Sequence, residues 1–157
     1  MFDNIIITKS PNADSRSSKD NLTLDELQRS TERHIFDVQQ GLALFANFLN
    51  LAGDNHDFTK KAYMEEFYEA LTSGEEVKDT KWYKMHISRE RHHLSSKAPD
   101  DITLIDVLEQ ITDCVMAGLA RSGEIYDIAL PDELLQKAYM NTVELLKSRV
   151  KVVEGSV

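Results

Sequence analysis

The sequence predicts an all-α protein, a compact bundle of about five helices with a short irregular N-terminal arm. Apolar residues recur at three- and four-residue spacing through most of the chain, and helix-capping residues precede several of these segments. No alternating pattern of useful strand length follows Thr8. The length of 157 residues suits a single core. We therefore predict an arm over residues 1–22, one helical domain over 23–150 and a tail over 151–157.

The chain opens with a β-prone run, Ile5-Ile6-Ile7-Thr8, followed by a polar stretch to residue 21 that predicts a loop. Thr23 and Glu26 have capping-box spacing, which predicts a first helix over residues 23–51. One face of this helix carries an apolar stripe that includes a histidine. Its members are His34, Val38, Leu42, Phe45 and Leu49. The shared face predicts that His34 points inward.

The middle of the chain contains two further amphipathic segments. Gly53 breaks the first helix, and His56-Asp57 stands at the entrance of a second one over residues 58–71. Asp79-Thr80 caps a third helix over residues 81–94. On a regular helix His86 and His93, seven residues apart, face the same way, and His92 is rotated by about 100°. We therefore expect only one of the His92 and His93 side chains to point into a common site.

Thr103 with Asp106 repeats the cap-and-acid spacing and opens a fourth helix over residues 104–121. Its polar side carries Glu109 and Asp113 as well as Asp106. Its apolar side carries Leu104, Leu108, Ile111, Val115 and Leu119. Pro131 with the two acids after it begins a fifth helix.

Composition excludes several classes of function. The formal net charge of −9 argues against a surface that binds duplex nucleic acid, because such binding needs many cations against phosphates. The apolar runs are too short for a membrane span, and Met1 is not followed by a targeting signal. The single cysteine, Cys114, suits a reducing compartment. A cytoplasmic protein is expected.

All five histidines fall between residues 34 and 93, in a pattern typical of a metal site. They are His34, His56, His86, His92 and His93, and Asp57 and Asp113 complete the pattern. Imidazole and carboxylate are the ligands of Zn, Mn, Fe, Co and Ni. One or two such divalent ions are therefore expected. The alternative for Asp57 is that it caps the second helix.

The order His34, His56-Asp57 and Asp113 resembles the HD-domain superfamily, all-helical metal-dependent phosphohydrolases named for an adjacent His-Asp pair. Lys60 follows the doublet by three residues, as in the HDxxK variant of that family. The resemblance covers residues 24–121. The segment over residues 84–119 is also similar to small proteins of phages and bacteria.

The resemblance implies that His34, His56, Asp57 and Asp113 bind one metal. In family members with extra histidines a second metal is typical, and here His86, His92 and His93 are the candidates. If Asp113 faces solvent, Asp106 is the alternative ligand. The implied reaction is the hydrolysis of a nucleotide or related small phosphate ester by a metal-activated water.

In that reaction the catalytic candidates are Asp57, Lys60 and Arg89, with Arg91 and Arg121 as further cations for phosphate.

Two other classes of function remain open. The chain could sequester a nucleotide without turnover, or it could be a structural, partner-binding bundle. A homodimer through the last helix is compatible with either.

Overall fold

The computed structural model of the chain describes residues 4–9, 22–125 and 127–154. The all-α fold class is confirmed, since helices dominate and a single two-stranded sheet accompanies them in this part of the chain. In order, the elements are β1 Ile5–Lys9, α1 Leu24–Asn55, α2 Phe58–Ala62, α3 Met64–Thr72, α4 Lys81–Arg89, α5 Leu94–Lys97, α6 Leu104–Ser122, α7 Asp132–Arg149 and β2 Val150–Glu154. A 3₁₀ turn, Val77–Asp79, precedes α4. The predicted polar loop lies almost entirely outside the described residues.

Both predicted capping boxes are present. The Thr23 amide donates to Glu26 at 3.0 Å, and the Thr103 amide donates to Asp106 at 2.7 Å. These contacts satisfy amides that have no partner within the first helical turn. Thr80 caps α4 by accepting from the Tyr83 amide. The starts of α1, α4 and α6 are therefore set by capping residues that can be recognised in the sequence.

The third helix ends earlier than predicted, at Arg89 instead of residue 94. Glu90 is extended, and its buried carboxylate accepts from the Thr59 amide at 2.8 Å. This long-range contact outweighs the local tendency to continue the helix. The chain then turns through His92 and His93 before α5 begins. The second predicted helix is likewise divided, because Tyr63 leaves the helical conformation between α2 and α3.

The described chain divides into two compact units, which are treated separately. One comprises the described residues of Met1–Asn47 and Val143–Val157, and the other spans Phe48–Thr142. In the first unit β1 and β2 pair in parallel, with Ile5 opposite Val150. The strand β2 was not predicted, and it joins the segments expected to be an arm and a tail.

The prediction that His34 points inward from the apolar stripe of α1 is wrong. His34 is exposed, and so are Val38 and Leu42 on the same face. They line an open cleft of about 400 Å³ together with Ile5 and Leu146. The reason is that β1, β2 and the end of α7 supply too little chain within this unit to cover a long helix face.

In the second unit the core consists of Leu94, Ile102, Val107 and Ala138. This core packs α5, α6 and α7 together. Asn141 of α7 donates to the Ile102 carbonyl at 2.8 Å, which fixes the loop that leads into α6. No helix in the described residues is long and apolar enough to cross a bilayer.

Arg91 anchors the turn that carries the two adjacent histidines. Its guanidinium donates to Asp106 Oδ1 at 2.6 Å and to Oδ2 at 3.0 Å, a bidentate pair. It also donates to Asp101 Oδ1 at 3.0 Å. Asp106 therefore caps α6 and holds Arg91 at once. The expectations that Asp106 is an alternative metal ligand and that Arg91 is a cation for phosphate are wrong, because the two side chains already neutralise each other.

We expect Asp106→Ala to lower the free energy of unfolding by about 2 kcal/mol, since it removes both a helix cap and the partner of Arg91. Urea denaturation followed by circular dichroism measures this. The control is Asp101→Ala, whose side chain is 80% exposed and whose loss should change stability by less than about 0.5 kcal/mol. Equal effects of the two substitutions would contradict the assignment.

Candidate metal centre

The second unit brings together most of the residues predicted to bind metal. We call this group the Asp57 cluster. Its members are His56, Asp57, His86, His92, His93, Glu109 and Asp113. His56 and Asp57 lie between α1 and α2, His86 lies on α4, and the two carboxylates Glu109 and Asp113 lie on α6. With the turn that carries His92 and His93, four chain segments therefore meet at the carboxylate of Asp57.

Asp57 has an unusual backbone conformation. Its φ of 55° and ψ of 32° are left-handed, and it is the only non-glycine residue with positive φ among the described residues. Asp tolerates this conformation better than most residues. Its side chain makes no capping hydrogen bond to α2, so the alternative reading of Asp57 as a helix cap is wrong. The backbone instead turns the carboxylate towards the histidines.

The two oxygens of Asp57 face different partners. Oδ2 accepts a hydrogen bond from Lys60 and lies 3.5 Å from His56 Nε2. Oδ1 is buried without a hydrogen-bond partner, 3.6 Å from His86 Nε2 and 3.8 Å from His92 Nε2. These last two separations are too long for hydrogen bonds.

The ligand atoms form two overlapping groups that share Asp57. One contains His56, Asp57 and His92, and the other contains Asp57, His86 and His93. Within each group the ligand atoms lie within 4.8 Å of one another. Metal–ligand bonds of about 2.0–2.2 Å place neighbouring ligand atoms roughly 2.8–3.6 Å apart. The separations around Asp57 are at or just above this range, so the residues fit a divalent metal.

Both adjacent histidines enter the cluster, which corrects the expectation that only one can. That expectation assumed a regular helix through residue 94. Because α4 ends at Arg89, His92 and His93 lie in a turn where their side chains are not forced 100° apart. His93 Nε2 lies 2.8 Å from His86 Nε2, and the rings of His92 and His56 are 4.4 Å apart.

Glu109 supports two of the histidines from behind. Its Oε1 is hydrogen-bonded to His56 Nδ1 at 2.9 Å. The same oxygen lies 3.0 Å from His92 Nδ1, off the direction of a good hydrogen bond. A carboxylate at Nδ1 favours the proton there and leaves the lone pair on Nε2. The Nε2 atoms of both rings are therefore directed towards Asp57.

A second support holds His86. The Thr59 hydroxyl donates to Glu90 and so accepts from His86 Nδ1 at 2.6 Å. This network assigns the proton of His86 to Nδ1 and leaves Nε2 as the lone-pair nitrogen. Trp82 stacks on the His86 ring with centroids 4.8 Å apart. Thr59 is fully buried, so these contacts are shielded from water.

The electrostatics favour a neutral imidazole at two positions. Burial, with the neighbouring His92 and His86, lowers the pKa of His93 to about 4. Burial also lowers the pKa of His86. For His92 burial acts in the same direction, but the Glu109 carboxylate raises the pKa overall. Burial would raise the pKa of Asp57, but the hydrogen bond and charge of Lys60, together with the charges of His56 and His92, lower it overall.

Asp113 lies at the edge of the cluster, with Oδ1 3.6 Å from His56 Nε2 and its side chain 30% exposed. The polar side of α6 therefore lies against the cluster and not in open solvent, although the two groups of candidate ligand atoms do not include Asp113.

Two predicted site residues are not brought to the cluster. His34 belongs to the first unit, and the metal-binding groups found among the described residues do not include it. Arg89 donates to the Tyr63 hydroxyl at 2.6 Å and lies over the Tyr63 ring. It lines a shallow groove with Glu66 and Glu69, and none of these contacts joins it to the Asp57 cluster.

Sequence reasoning missed Glu109, Glu90 and Thr59 as parts of the site. Glu109 shares the polar side of α6 with Asp113, one turn away, so its position carried a usable signal. Glu90 and Thr59 carried none, because each acts through a contact more than 25 residues away in the chain. Comparison with protein-family models, with curated proteins and with solved structures found no significant match.

We expect Glu109→Gln to weaken the binding of a divalent metal by about 10–100-fold, as is usual when a carboxylate behind a ligand histidine is lost. Titration calorimetry with Zn²⁺ or Mn²⁺ on untagged protein measures the affinity. Glu65→Gln, at an exposed position of α3, is the control and should bind as wild type does. An unchanged affinity in Glu109→Gln would show that Glu109 does not orient metal ligands.

Proposed function

We propose that the chain is a metal-dependent phosphohydrolase of the HD type, acting on a nucleotide or a related small phosphate ester. The observation that carries the proposal is the buried Asp57 Oδ1, which has no hydrogen-bond partner and faces the Nε2 atoms of His86 and His92.

An unpartnered buried carboxylate oxygen costs free energy, about 1–3 kcal/mol or more because the group is charged. His92 Nε2 is also buried without a hydrogen-bond partner. A cation held between these atoms, which lie 3.8 Å apart, would remove both costs, because it accepts the lone pairs of the carboxylate and of the imidazole together. The arrangement is therefore better explained by metal binding than by stability of the fold.

The residues that would hold the metal are His56, Asp57 and His92, with His86 and His93 around a second ion that shares Asp57. A divalent ion bound there supplies Lewis-acid activation of water and neutralises charge on a phosphate. Glu109 and Thr59 keep the imidazole lone pairs directed inward. These supports make the ligand set rigid before any substrate arrives.

Two side chains of the cluster suit the remaining roles. Lys60 is half-buried, and its ammonium is held at the site by Asp57, so it can meet a non-bridging phosphate oxygen. Asp113 is 30% exposed, whereas Asp57 and Glu109 are 19% and 14% exposed. Because it is the carboxylate most open to solvent, we assign Asp113 to accept a proton from the attacking water.

We expect Asp57→Asn to abolish phosphatase turnover, by at least about 100-fold, while the helices stay folded. Asn is suited to the left-handed conformation and has almost the same shape, so the change removes charge and not structure. The assay follows release of inorganic phosphate from nucleoside monophosphates with Mn²⁺, Co²⁺, Ni²⁺ or Zn²⁺.

The control for this test is Asp54→Asn, an exposed acid near the end of α1. It should retain full activity. Wild-type protein that binds a nucleotide stoichiometrically and returns it unchanged would contradict the enzyme and favour a sequestering protein. Activity retained in Asp57→Asn would remove Asp57 from the mechanism.

A further inference from the structure

An open groove of about 560 Å³ adjoins the Asp57 cluster. Three of the residues that line it, His56, Glu109 and Asp113, belong to the cluster itself. The groove runs between the C-terminal part of α1 and the middle of α6, within the second unit. A molecule whose phosphate lies at the cluster can therefore extend directly into this groove. The volume lies in the range of small-molecule sites.

The rest of the lining is mostly apolar. Leu49 and Ala52 of α1 face Leu108 and Met116 of α6. Leu108 is 45% exposed and Met116 is 65% exposed, and Leu49 across from them is 38% exposed. Adjacent exposed apolar residues of this kind mark surfaces that bind something. Their continuity with a polar cluster indicates a ligand with one polar end and one apolar end.

The charges of the groove decide which ligands it excludes. Among the described residues that line the groove there is no Lys or Arg. Its two acidic side chains are the carboxylates of Glu109 and Asp113. A second phosphate or a carboxylate in the groove would meet like charge at short range. Polyphosphates are therefore disfavoured.

Hydrogen-bond donors are scarce in the groove as well. The Thr112 hydroxyl already donates to the Leu108 carbonyl at 2.8 Å, and His56 Nδ1 is bound to Glu109. Recognition of a polyhydroxylated sugar needs both donors and acceptors, whereas apolar contact needs neither. The lining thus suits a neutral and largely apolar group.

We propose that the groove receives the uncharged, largely apolar organic group of a phosphate monoester while the phosphate lies at the Asp57 cluster. This rests on the proposed function and narrows its substrate class. In the reaction the oxygen of water forms a bond to phosphorus as the ester P–O bond breaks. The departing oxygen takes up one proton, so the products are one alcohol and one inorganic phosphate.

Two alkyl phosphates test the proposal, because they have leaving groups of almost equal reactivity and differ only in apolar length. We expect hexyl phosphate to have a kcat/KM at least tenfold above that of ethyl phosphate, since each methylene buried in an apolar site contributes up to about fourfold. ATP should be the poorest substrate. The assay uses full-length untagged protein with Mn²⁺ or Co²⁺.

Leu108→Glu introduces a charge into the groove and should reduce the hexyl-to-ethyl ratio to about 1. Met116→Glu should do the same and is the second variant if Leu108→Glu does not fold by circular dichroism. Leu119→Glu is the matched control, because Leu119 is 49% exposed on the same helix and does not line the groove. It should keep the wild-type ratio.

Failure of this inference differs from failure of the proposed function. Equal kcat/KM for both alkyl phosphates, or a preference for ATP, overturns the groove assignment and leaves the hydrolase intact. No turnover of any ester with any metal overturns both. A dimer in sedimentation that Leu108→Glu dissociates would show that a second copy covers the groove, and this too overturns the proposal.

Discussion

The structure of the site depends on one residue in a strained position. Asp57 is left-handed at the junction of α1 and α2, and this conformation directs its carboxylate into a group of four imidazoles. One oxygen is bound by Lys60, and the other is buried without a hydrogen-bond partner. Positive φ in a non-glycine residue and an orphaned buried oxygen both cost stability. A cation at that oxygen would offset these costs. The supports are consistent with this, because Glu109 and Thr59 each bind the Nδ1 side of a histidine and Glu90 holds Thr59 in place.

A feature of the fold or of the site could be predicted from the sequence when its cause is local in the chain. The starts of α1, α4 and α6 followed from capping residues one turn apart, and the His56-Asp57 doublet was recognised as a helix entrance. The early end of α4 was not predictable, because Glu90 is held by Thr59 from another helix. Because α4 ends early, His92 and His93 lie in a turn from which both side chains reach the cluster. The inward direction predicted for His34 failed for a similar reason, since burial depends on what covers a helix face and periodicity does not report that.

Under the proposed function, the site would recognise the charged end of a ligand and the adjoining groove its uncharged end. Lys60 and any bound metal are the positive features near Asp57, so they would attract a phosphate. The groove beside them presents Leu108, Met116 and carboxylates, which would repel further anionic groups. This arrangement accounts for a net charge of −9 in a protein proposed to bind a phosphate ester, because attraction is confined to one point. Selectivity would then come from apolar contact and from exclusion of charge.

The central claim is that the Asp57 cluster is a metal centre, and titration of metal-free, untagged wild-type protein with Co²⁺ tests it most directly. Visible absorption reports the ligand environment, and elemental analysis after dialysis reports the stoichiometry. The account predicts saturation at one or two equivalents, with Co²⁺ retained through dialysis and imidazole and carboxylate ligation in the spectrum. Binding that does not saturate, with Co²⁺ lost on dialysis and the spectrum of the hydrated ion, would contradict it.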